Sequence, residues 1–182
     1  MITITRYHDI SAGHRVYGHE SKCKHLHGHN YRIHFMITAP ELDSTGRIID
    51  FSVIKSKLCD WLEENWDHKT LLFEKDPFYI YYISELWRDD TEPSWSPGGI
   101  IDVPFNPTAE NMAKYLVEVI GPKQLEGTGC SLMGAKVEET AKCSATYLRP
   151  DPKLMDKIEQ MMTEKIANPL KELFSNMLKE EE

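Results

Sequence analysis

The chain has 182 residues, 41% of them hydrophobic, and a formal net charge of −8 at pH 7. Its length suffices for one ordinary hydrophobic core and does not require a second. The acidic balance argues against nucleic acid as a partner, because Lys and Arg must neutralise phosphates in such complexes. The acidic net charge is still compatible with a small phosphorylated substrate, because a basic cluster can bind it locally: Arg15, Lys22, Lys24 and His25. These residues fit a solvated loop equally well.

Targeting and cysteine patterns predict a cytoplasmic protein. No apolar run approaches the length of a membrane span, and the N-terminus lacks a basic segment followed by an apolar stretch. We therefore expect no membrane partner. The four cysteines show no paired spacing, which is typical of free thiols and not of a disulfide framework or a tetrathiolate zinc site: Cys23, Cys59, Cys130 and Cys143.

Alternating apolar and polar residues predict the strands. The alternation over 2–7 indicates a half-buried strand that runs toward His14, and the alternation over 31–39 indicates its partner. Two more strands are predicted over about 130–139 and 143–149. Four strands leave two open sheet edges that need partners, which favours a homo-oligomer.

Helical spacing of apolar residues predicts two helices that pack on this sheet. The first covers 52–65 with Ser52 as its N-cap, and the second starts after the N-cap Thr108 and ends at 121–122. Strands and helices that are segregated along the chain predict an α+β fold with an antiparallel sheet.

Two further segments complete the domain prediction. Residues 1–149 form one domain with an insertion at about 73–102, where the pair Asp76-Pro77 predicts the start of a short helix over 78–87. The insertion is expected to serve as packing, as a lid or as an oligomer contact. Residues 150–182 carry an apolar stripe at helical spacing and are predicted to be a helical extension of the same domain.

The densest group of possible metal ligands lies at 23–31. On an extended segment, His27 and His29 project to the same side, with Gly28 between them leaving room close to the backbone. Neutral imidazole is the commonest nitrogen ligand of zinc, and a catalytic zinc takes three protein ligands. Two histidines on one strand therefore need a third ligand.

His25 and His14 are the two candidates for that third ligand. Three consecutive same-face positions of one strand are about 6–7 Å apart, which is too far for a tetrahedral site with bonds near 2 Å. We favour His14, supplied by a paired strand.

Five separated motifs resemble the family of 6-pyruvoyl-tetrahydropterin and 6-carboxytetrahydropterin synthases. The resemblance covers about residues 1–149. Departures are the insertion between Leu72 and Val103, the extension after Arg149, and Ile10 where the family more often has an aromatic residue. The motifs occur in the family's order: Ser11-Ala12-Gly13-His14-Arg15, Cys23-x-x-x-His27-Gly28-His29-Asn30-Tyr31, Asp67-His68, Pro107-Thr108-Ala109-Glu110-Asn111 and Glu139-Thr140.

The resemblance implies a fold, an assembly and a cofactor. The implied fold is the tunnelling fold, α+β, with an antiparallel four-stranded sheet and helices packed on one face. Three such sheets close a barrel and two barrels stack, which implies a homohexamer, a dimer of trimers, with active sites between subunits. The implied cofactor is Zn²⁺ held by His14, His27 and His29, and the implied substrate is 7,8-dihydroneopterin triphosphate.

The resemblance also implies a role for each site residue. Cys23 is the expected base, because a thiol ionises nearer to neutral pH than a serine hydroxyl. His68 is expected to handle protons while Asp67 orients it, across a subunit boundary. Glu139 is the expected pterin anchor, since one carboxylate accepts two N–H groups. Thr108 and Glu110 match positions that line the pocket, or they simply start a helix.

The spacing of Cys23 and His27 favours one branch of the family. A cysteine four residues before the first histidine is typical of the carboxy-forming branch of queuosine biosynthesis, and segment 47–51 also resembles that branch. The expected products are 6-carboxytetrahydropterin, acetaldehyde and triphosphate. The alternative within the family is 6-pyruvoyl-tetrahydropterin synthase.

Two alternatives of other classes remain. In a structural zinc protein, Cys23 would be a fourth ligand that closes the site. In a zinc hydrolase, a metal-bound hydroxide would act on another substrate, which the pterin-binding positions disfavour.

Overall fold

The computed structural model describes residues 2–86, 99–150, 163–168 and 171. Contacts divide the chain into two units, Met1–Leu148 and Arg149–Glu182. In the second unit, the structure describes a π-helical turn, Thr163–Ala167. The remainder of the predicted C-terminal stripe lies outside the described residues, and its status as an extension of the first domain stays a prediction. None of the described helices is long and apolar enough to cross a membrane.

One six-stranded sheet organises the first unit. Its spatial order is β4-β3-β1-β2-β5-β6, so the N-terminal hairpin of β1 and β2 lies in the middle. The four longer strands pair antiparallel, whereas β3 pairs parallel with β1 and β4 pairs parallel with β3. The strands are β1 Ile4–His14, β2 His27–Thr38, β3 Thr70–Phe73, β4 Ile100–Val103, β5 Ser131–Thr140 and β6 Cys143–Leu148.

The predicted α+β class is confirmed, but the prediction of a purely antiparallel, four-stranded sheet is wrong. The two additional strands have only four residues each, Thr70–Phe73 and Ile100–Val103. Apolar residues are consecutive in both, so they lack the alternation that identifies a half-buried strand. They form strands only because the folded chain brings β3 beside β1 and β4 beside β3.

Three helical segments accompany the sheet. Helix α1 (51–65) consists of Phe51–Ile54, the π-helical turn Lys55–Cys59 and Asp60–Asn65. Helix α2 is Pro77–Leu86, at the position where Asp76-Pro77 predicts a helix start. Helix α3 (109–124) consists of Ala109–Tyr115, the π-helical turn Leu116–Ile120 and Gly121–Gln124.

The helix ends refine the sequence predictions. The N-cap of α1 is Asp50, not Ser52, because the Asp50 carboxylate accepts the backbone N–H of Ser52. Thr108 is confirmed as the N-cap of α3. That helix continues past the predicted stop at 121–122. The Gly121 N–H donates to the carbonyl of Leu116, five residues earlier, so the helix already has the wider π-helical hydrogen bonds before Pro122.

The core lies between one face of the sheet and helices α1 and α3. We call this face of the sheet the inner face and the opposite one the outer face. Alternation places every second residue of β1 and β2 on the inner face, which is buried from Ile10 onward in β1 and from Tyr31 onward in β2. The buried residues include Ile10, Ala12, Tyr31, Ile33 and Phe35 from the sheet, and Leu58, Leu62, Met112 and Leu116 from the helices. The four cysteines are free thiols, as predicted.

Candidate metal centre and active site

Three histidines meet at one end of the inner face. In the antiparallel register of β1 and β2, His14 lies opposite His27, and Ala12 lies opposite His29. Alternation then puts all three imidazoles on the same side of the sheet. Their ligand nitrogen atoms lie within 4.8 Å of one another, and no other such group of His, Cys, Asp or Glu occurs among the described residues.

Two backbone carbonyls fix the tautomers of His14 and His27. The Nδ1 of His14 lies 2.6 Å from the carbonyl oxygen of Pro107, and the Nδ1 of His27 lies 2.7 Å from that of His25. A carbonyl oxygen only accepts hydrogen bonds, so both Nδ1 atoms carry the hydrogen. In the neutral rings, both Nε2 atoms therefore present a lone pair, and these two atoms are 3.1 Å apart. Two lone pairs that face each other at this distance are suited to a cation between them.

Burial keeps His14 in the neutral form that a metal ligand requires. This side chain is 2% exposed. Burial, followed by the nearby charges of His27 and His29, lowers the pKa of His14 to about 4, although the hydrogen bond to Pro107 opposes the shift. A neutral imidazole with its Nδ1–H held by a carbonyl is the arrangement that orients a histidine toward a metal.

The low pKa of His14 predicts a pH-dependent stability of the metal-free protein. Unfolded His14 binds a proton below about pH 6.5, whereas folded His14 resists it until about pH 4, so stability falls as the pH is lowered through this window. Between pH 7 and pH 5 the loss attributable to His14 is about 2 kcal/mol. Urea unfolding at both pH values, in chelator, should show a smaller loss for His14→Gln; equal losses would contradict the assignment.

The remaining residues of the 23–31 stretch lie outside the cluster. The side chain of His25 is exposed, and only its carbonyl takes part in the site. Gly28 does not make room for a metal, because a side chain at this position would point to the outer face, away from the three histidines. There a Cβ atom would lie 3.1 Å from the carbonyl oxygen of Ala12. Cys23 is half-buried in a 3₁₀ turn, Lys22–Lys24, and its sulfur does not belong to the histidine cluster.

Asn106 is a site residue that sequence reasoning missed. Its side-chain amide accepts the backbone N–H of Tyr17 (2.8 Å) and donates to the carbonyl of the same residue (2.7 Å). The neighbouring Val16 N–H donates to the carbonyl of Cys23 (2.8 Å). Asn106 therefore fastens the loop that carries Cys23 to the segment whose Pro107 carbonyl orients His14. The only sequence signal was its position directly before the Pro107-Thr108 motif.

Asp67 and His68 form a hydrogen-bonded pair beside β1. The Nδ1 of His68 lies 2.6 Å from an oxygen of Asp67, whose other oxygen accepts the backbone N–H of Ser11 (2.8 Å). Burial alone would raise the pKa of Asp67, but the hydrogen bonds from Ser11 and His68 outweigh it and lower this pKa. His68 has a positive φ of 53°, which is rare for a residue with a side chain. Such a backbone conformation persists only where the surrounding structure holds it.

Most residues around this pair lie on the face of β1 and β2 opposite to the three imidazoles. His68 is 82% exposed and borders a cavity of about 430 Å³ that also reaches His29 and whose wall includes the four residues Ser11, Gly13, Gly28 and Asn30. These four residues alternate with His14, Ala12, His27 and His29 along β1 and β2, and therefore face the outer side. The Asp67–His68 pair therefore borders mainly the outer side of the β1–β2 hairpin, whereas the three imidazoles lie on its inner face.

Glu138 and Glu139 are adjacent, but only the carboxylate of Glu138 already has partners within the described chain. Glu138 is held on the outer face by Lys136 (2.6 Å) and His34 (2.9 Å). Glu139 lies at a β-bulge, where the register between β5 and β6 shifts, and its carboxylate has no hydrogen-bond or ion-pair partner in the described part of the chain. Burial, then the charges of Glu139 and Cys23, raise the pKa of Tyr31, whose ring contacts His14 and His29. Glu139 and Cys23 are therefore close enough to Tyr31, which lies beside two of the histidines, for their charges to act on its hydroxyl group.

The structure supports the helix-start interpretation for Thr108 and gives no contact for Glu110. The Thr108 hydroxyl accepts the backbone N–H of Asn111 at 3.3 Å. Glu110 is exposed in the first turn of α3. A substrate-binding role for these two residues stays a prediction.

Comparison with known proteins identifies the family of the chain. The family model for 6-pyruvoyl tetrahydropterin synthase matches residues 3–150. The chain belongs to this family. It is 36% identical over 143 residues to 6-carboxy-5,6,7,8-tetrahydropterin synthase from Rickettsia felis, a match that covers 79% of the chain and 97% of the relative. The protein of that name from Synechocystis is 33% identical over 154 residues, covering 82% and 95%.

Solved structures share the fold of this family member. A protein from Wolinella succinogenes described as uncharacterized superposes with a TM-score of 0.70 at 21% identity, covering 82% of the chain and 98% of its own. The 6-pyruvoyl tetrahydropterin synthase of Caenorhabditis elegans gives a TM-score of 0.56 at 21% identity, covering 82% and 96%. The family membership makes the protein a pterin synthase-type enzyme, a lyase.

Proposed function

We propose that this enzyme converts 7,8-dihydroneopterin triphosphate to 6-carboxy-5,6,7,8-tetrahydropterin, releasing acetaldehyde and triphosphate, as a step of queuosine biosynthesis. The observation that carries the proposal is the set of three histidines whose ligand nitrogen atoms lie within 4.8 Å of one another, beside Tyr31, on which the charges of Glu139 and Cys23 act. The relatives named for the carboxy product and the four-residue spacing from Cys23 to His27 support this product over 6-pyruvoyl-tetrahydropterin.

Zn²⁺ is the proposed metal, with His14, His27 and His29 as its ligands. Three neutral imidazoles are the ligand set of known catalytic zinc sites that keep a fourth position open. In a tetrahedral site with bonds near 2 Å, ligand nitrogens are about 3.3 Å apart, close to the 3.1 Å between the Nε2 atoms of His14 and His27. When bound, the metal would polarise the side-chain oxygens of the substrate and favour loss of carbon-bound protons.

The chain's own residues would bind the substrate and move its protons. Glu139 would accept the 2-amino and ring N–H groups of the pterin in two hydrogen bonds, because its carboxylate has no other partner among the described residues. The Cys23 thiolate would remove a proton from the substrate side chain. His68, oriented by its hydrogen bond to Asp67, would exchange protons with the reacting carbon or the leaving group.

We infer that each active site contains residues from more than one copy of the chain. The Asp67–His68 pair borders mainly outer-face residues, whereas the three imidazoles lie on the inner face, which favours a site to which two subunits contribute. We propose a homohexamer, a dimer of trimers, in which the Asp67–His68 pair of one subunit completes the metal site of another. The edge strands β4 and β6 have one unpaired side each within the described chain, which is available for such contacts.

Mixing two inactive variants should test the shared active site. Cys23→Ala and His68→Ala subunits should each form inactive homo-oligomers, because each lacks one proton-transfer group. After joint refolding, sites that pair an intact Cys23 with an intact His68 from different chains should recover roughly a quarter of the wild-type rate by random assembly. No recovery in oligomers shown to be mixed would contradict a site built between subunits.

Product analysis decides the proposed reaction. The zinc-loaded protein should convert 7,8-dihydroneopterin triphosphate to a 6-carboxytetrahydropterin detected by mass, with one acetaldehyde for each triphosphate. Recovery of 6-pyruvoyl-tetrahydropterin without acetaldehyde would assign the other branch. No conversion by a zinc-loaded oligomer would reject the proposal.

A structural zinc site is the second candidate, and the geometry disfavours it. Such a site would need Cys23 as a fourth ligand, but its sulfur is not part of the histidine cluster. Cobalt substitution tests the same point, since thiolate coordination adds a charge-transfer band that a site with three histidines lacks.

A further inference from the structure

Asp76 is a fully buried carboxylate that the proposed reaction does not use. It is 0% exposed, and one of its oxygens lies 3.0 Å from the Nε atom of Arg15, whose side chain is 21% exposed. The guanidinium also lies over the ring of Phe78, 5.1 Å from its centroid. Neither Arg15 Nε nor this oxygen of Asp76 makes a well-directed hydrogen bond in the described structure, so the contact is a charge pair.

The position of this pair is more informative than its strength. Buried ion pairs add little net stability, because desolvation offsets most of the attraction. Arg15, however, directly follows His14, the last residue of β1 and one of the three clustered histidines. Asp76 belongs to the inserted segment, where its other oxygen accepts the backbone N–H of Phe78 (2.8 Å) at the start of α2.

Contacts with β3 and with Asp76 hold the chain on either side of His14. The end of β1 pairs with β3, Gly13 opposite Thr70 and His14 opposite Leu71. After β3 ends, the Asp76 N–H donates to the carbonyl of Phe73 (2.9 Å), and the Asp76 side chain returns to Arg15. The strand end is therefore held by pairing on one side and by a buried charge contact just beyond it.

We propose that Arg15 and Asp76 are positioning residues through which the inserted segment sets the metal affinity of the histidine site. The Pro107 carbonyl fixes the rotation of the His14 ring, whereas the Arg15–Asp76 pair fixes the backbone from which that ring projects. Without the pair, the chain after His14 loses its contact with the start of α2, and the His14 Nε2 atom is no longer held opposite that of His27. The inference rests on the proposed function only in taking Zn²⁺ as the metal.

Metal affinity measured on matched variants tests the inference. Asp76→Asn keeps an acceptor for the Phe78 N–H but removes the charge, and Arg15→Met removes the opposite charge. The double variant leaves no unpaired buried charge. Asp60→Asn, which breaks the exposed pair with Lys55, is the control. Zn²⁺ affinity is measured by competition with a chromogenic chelator, and thermal midpoints are recorded for the same samples.

Each single variant should bind Zn²⁺ about 10-fold to 100-fold more weakly than the wild type, the range found when a residue supporting a metal ligand is lost. The double variant should regain thermal stability but not affinity, and Asp60→Asn should bind as the wild type. If a single variant does not fold, the weak binding of the double variant carries the test. The inference is overturned if the folded variants bind within about twofold of the wild type, or if affinity returns with stability in the double variant. A wild-type protein that binds no Zn²⁺ would instead reject the proposed function.

Discussion

Replacing Cys23 with Ala should lower turnover by about 10²–10⁴-fold, the range typical of losing a general base. The metal content should stay at the wild-type level, because the Cys23 sulfur is not part of the histidine cluster. Cys23 is half-buried in a turn that contacts of Val16 and Asn106 fasten to the segment whose Pro107 carbonyl orients His14, and the proposed mechanism makes its thiol the base. Steady-state rates and zinc content of the same sample provide the measurement.

Cys143→Ala is the matched control for this loss of a thiol. Cys143 is also a free cysteine, but it is exposed on β6, at the edge of the sheet. We expect its rate to equal that of the wild type. A Cys23→Ala protein that turns over near the wild-type rate would remove Cys23 from the mechanism, whereas loss of zinc in that variant would favour the structural-site alternative.

His14→Ala should weaken Zn²⁺ binding by more than about 100-fold, because it removes a ligand and not merely a supporting partner, whose loss costs 10–100-fold. The Nε2 atom of His14 lies 3.1 Å from that of His27, and no fourth described His, Cys, Asp or Glu side chain belongs to the cluster. Competition with a chelator of known affinity measures the effect directly and does not depend on substrate.

His25→Ala provides the comparison, since His25 lies two residues before His27 but has an exposed side chain. Its backbone carbonyl, which accepts the His27 Nδ1–H, is kept in the variant. We expect wild-type zinc affinity. Loss of zinc in His25→Ala together with its retention in His14→Ala would reverse the ligand assignment.

Local patterns in the sequence determined the framework of this protein. Alternation identified the four long strands, and helical spacing with Asp76-Pro77 and Thr108 located the helices, because both signals come from residues a few positions apart. The same alternation predicted that His27 and His29 share a face, and the distances along one strand favoured a third ligand from another strand.

Only the tertiary structure decided what depends on contacts between distant segments. The short parallel strands β3 and β4 lack a local pattern, since each is formed by pairing with a neighbour already in place. The carbonyl of Pro107, the clamp made by Asn106 and the buried Arg15–Asp76 pair join residues that are far apart in the chain. The placement of Asp67 and His68 on the outer face follows from how the chain enters β3, and alternation within one strand carries no information about that path.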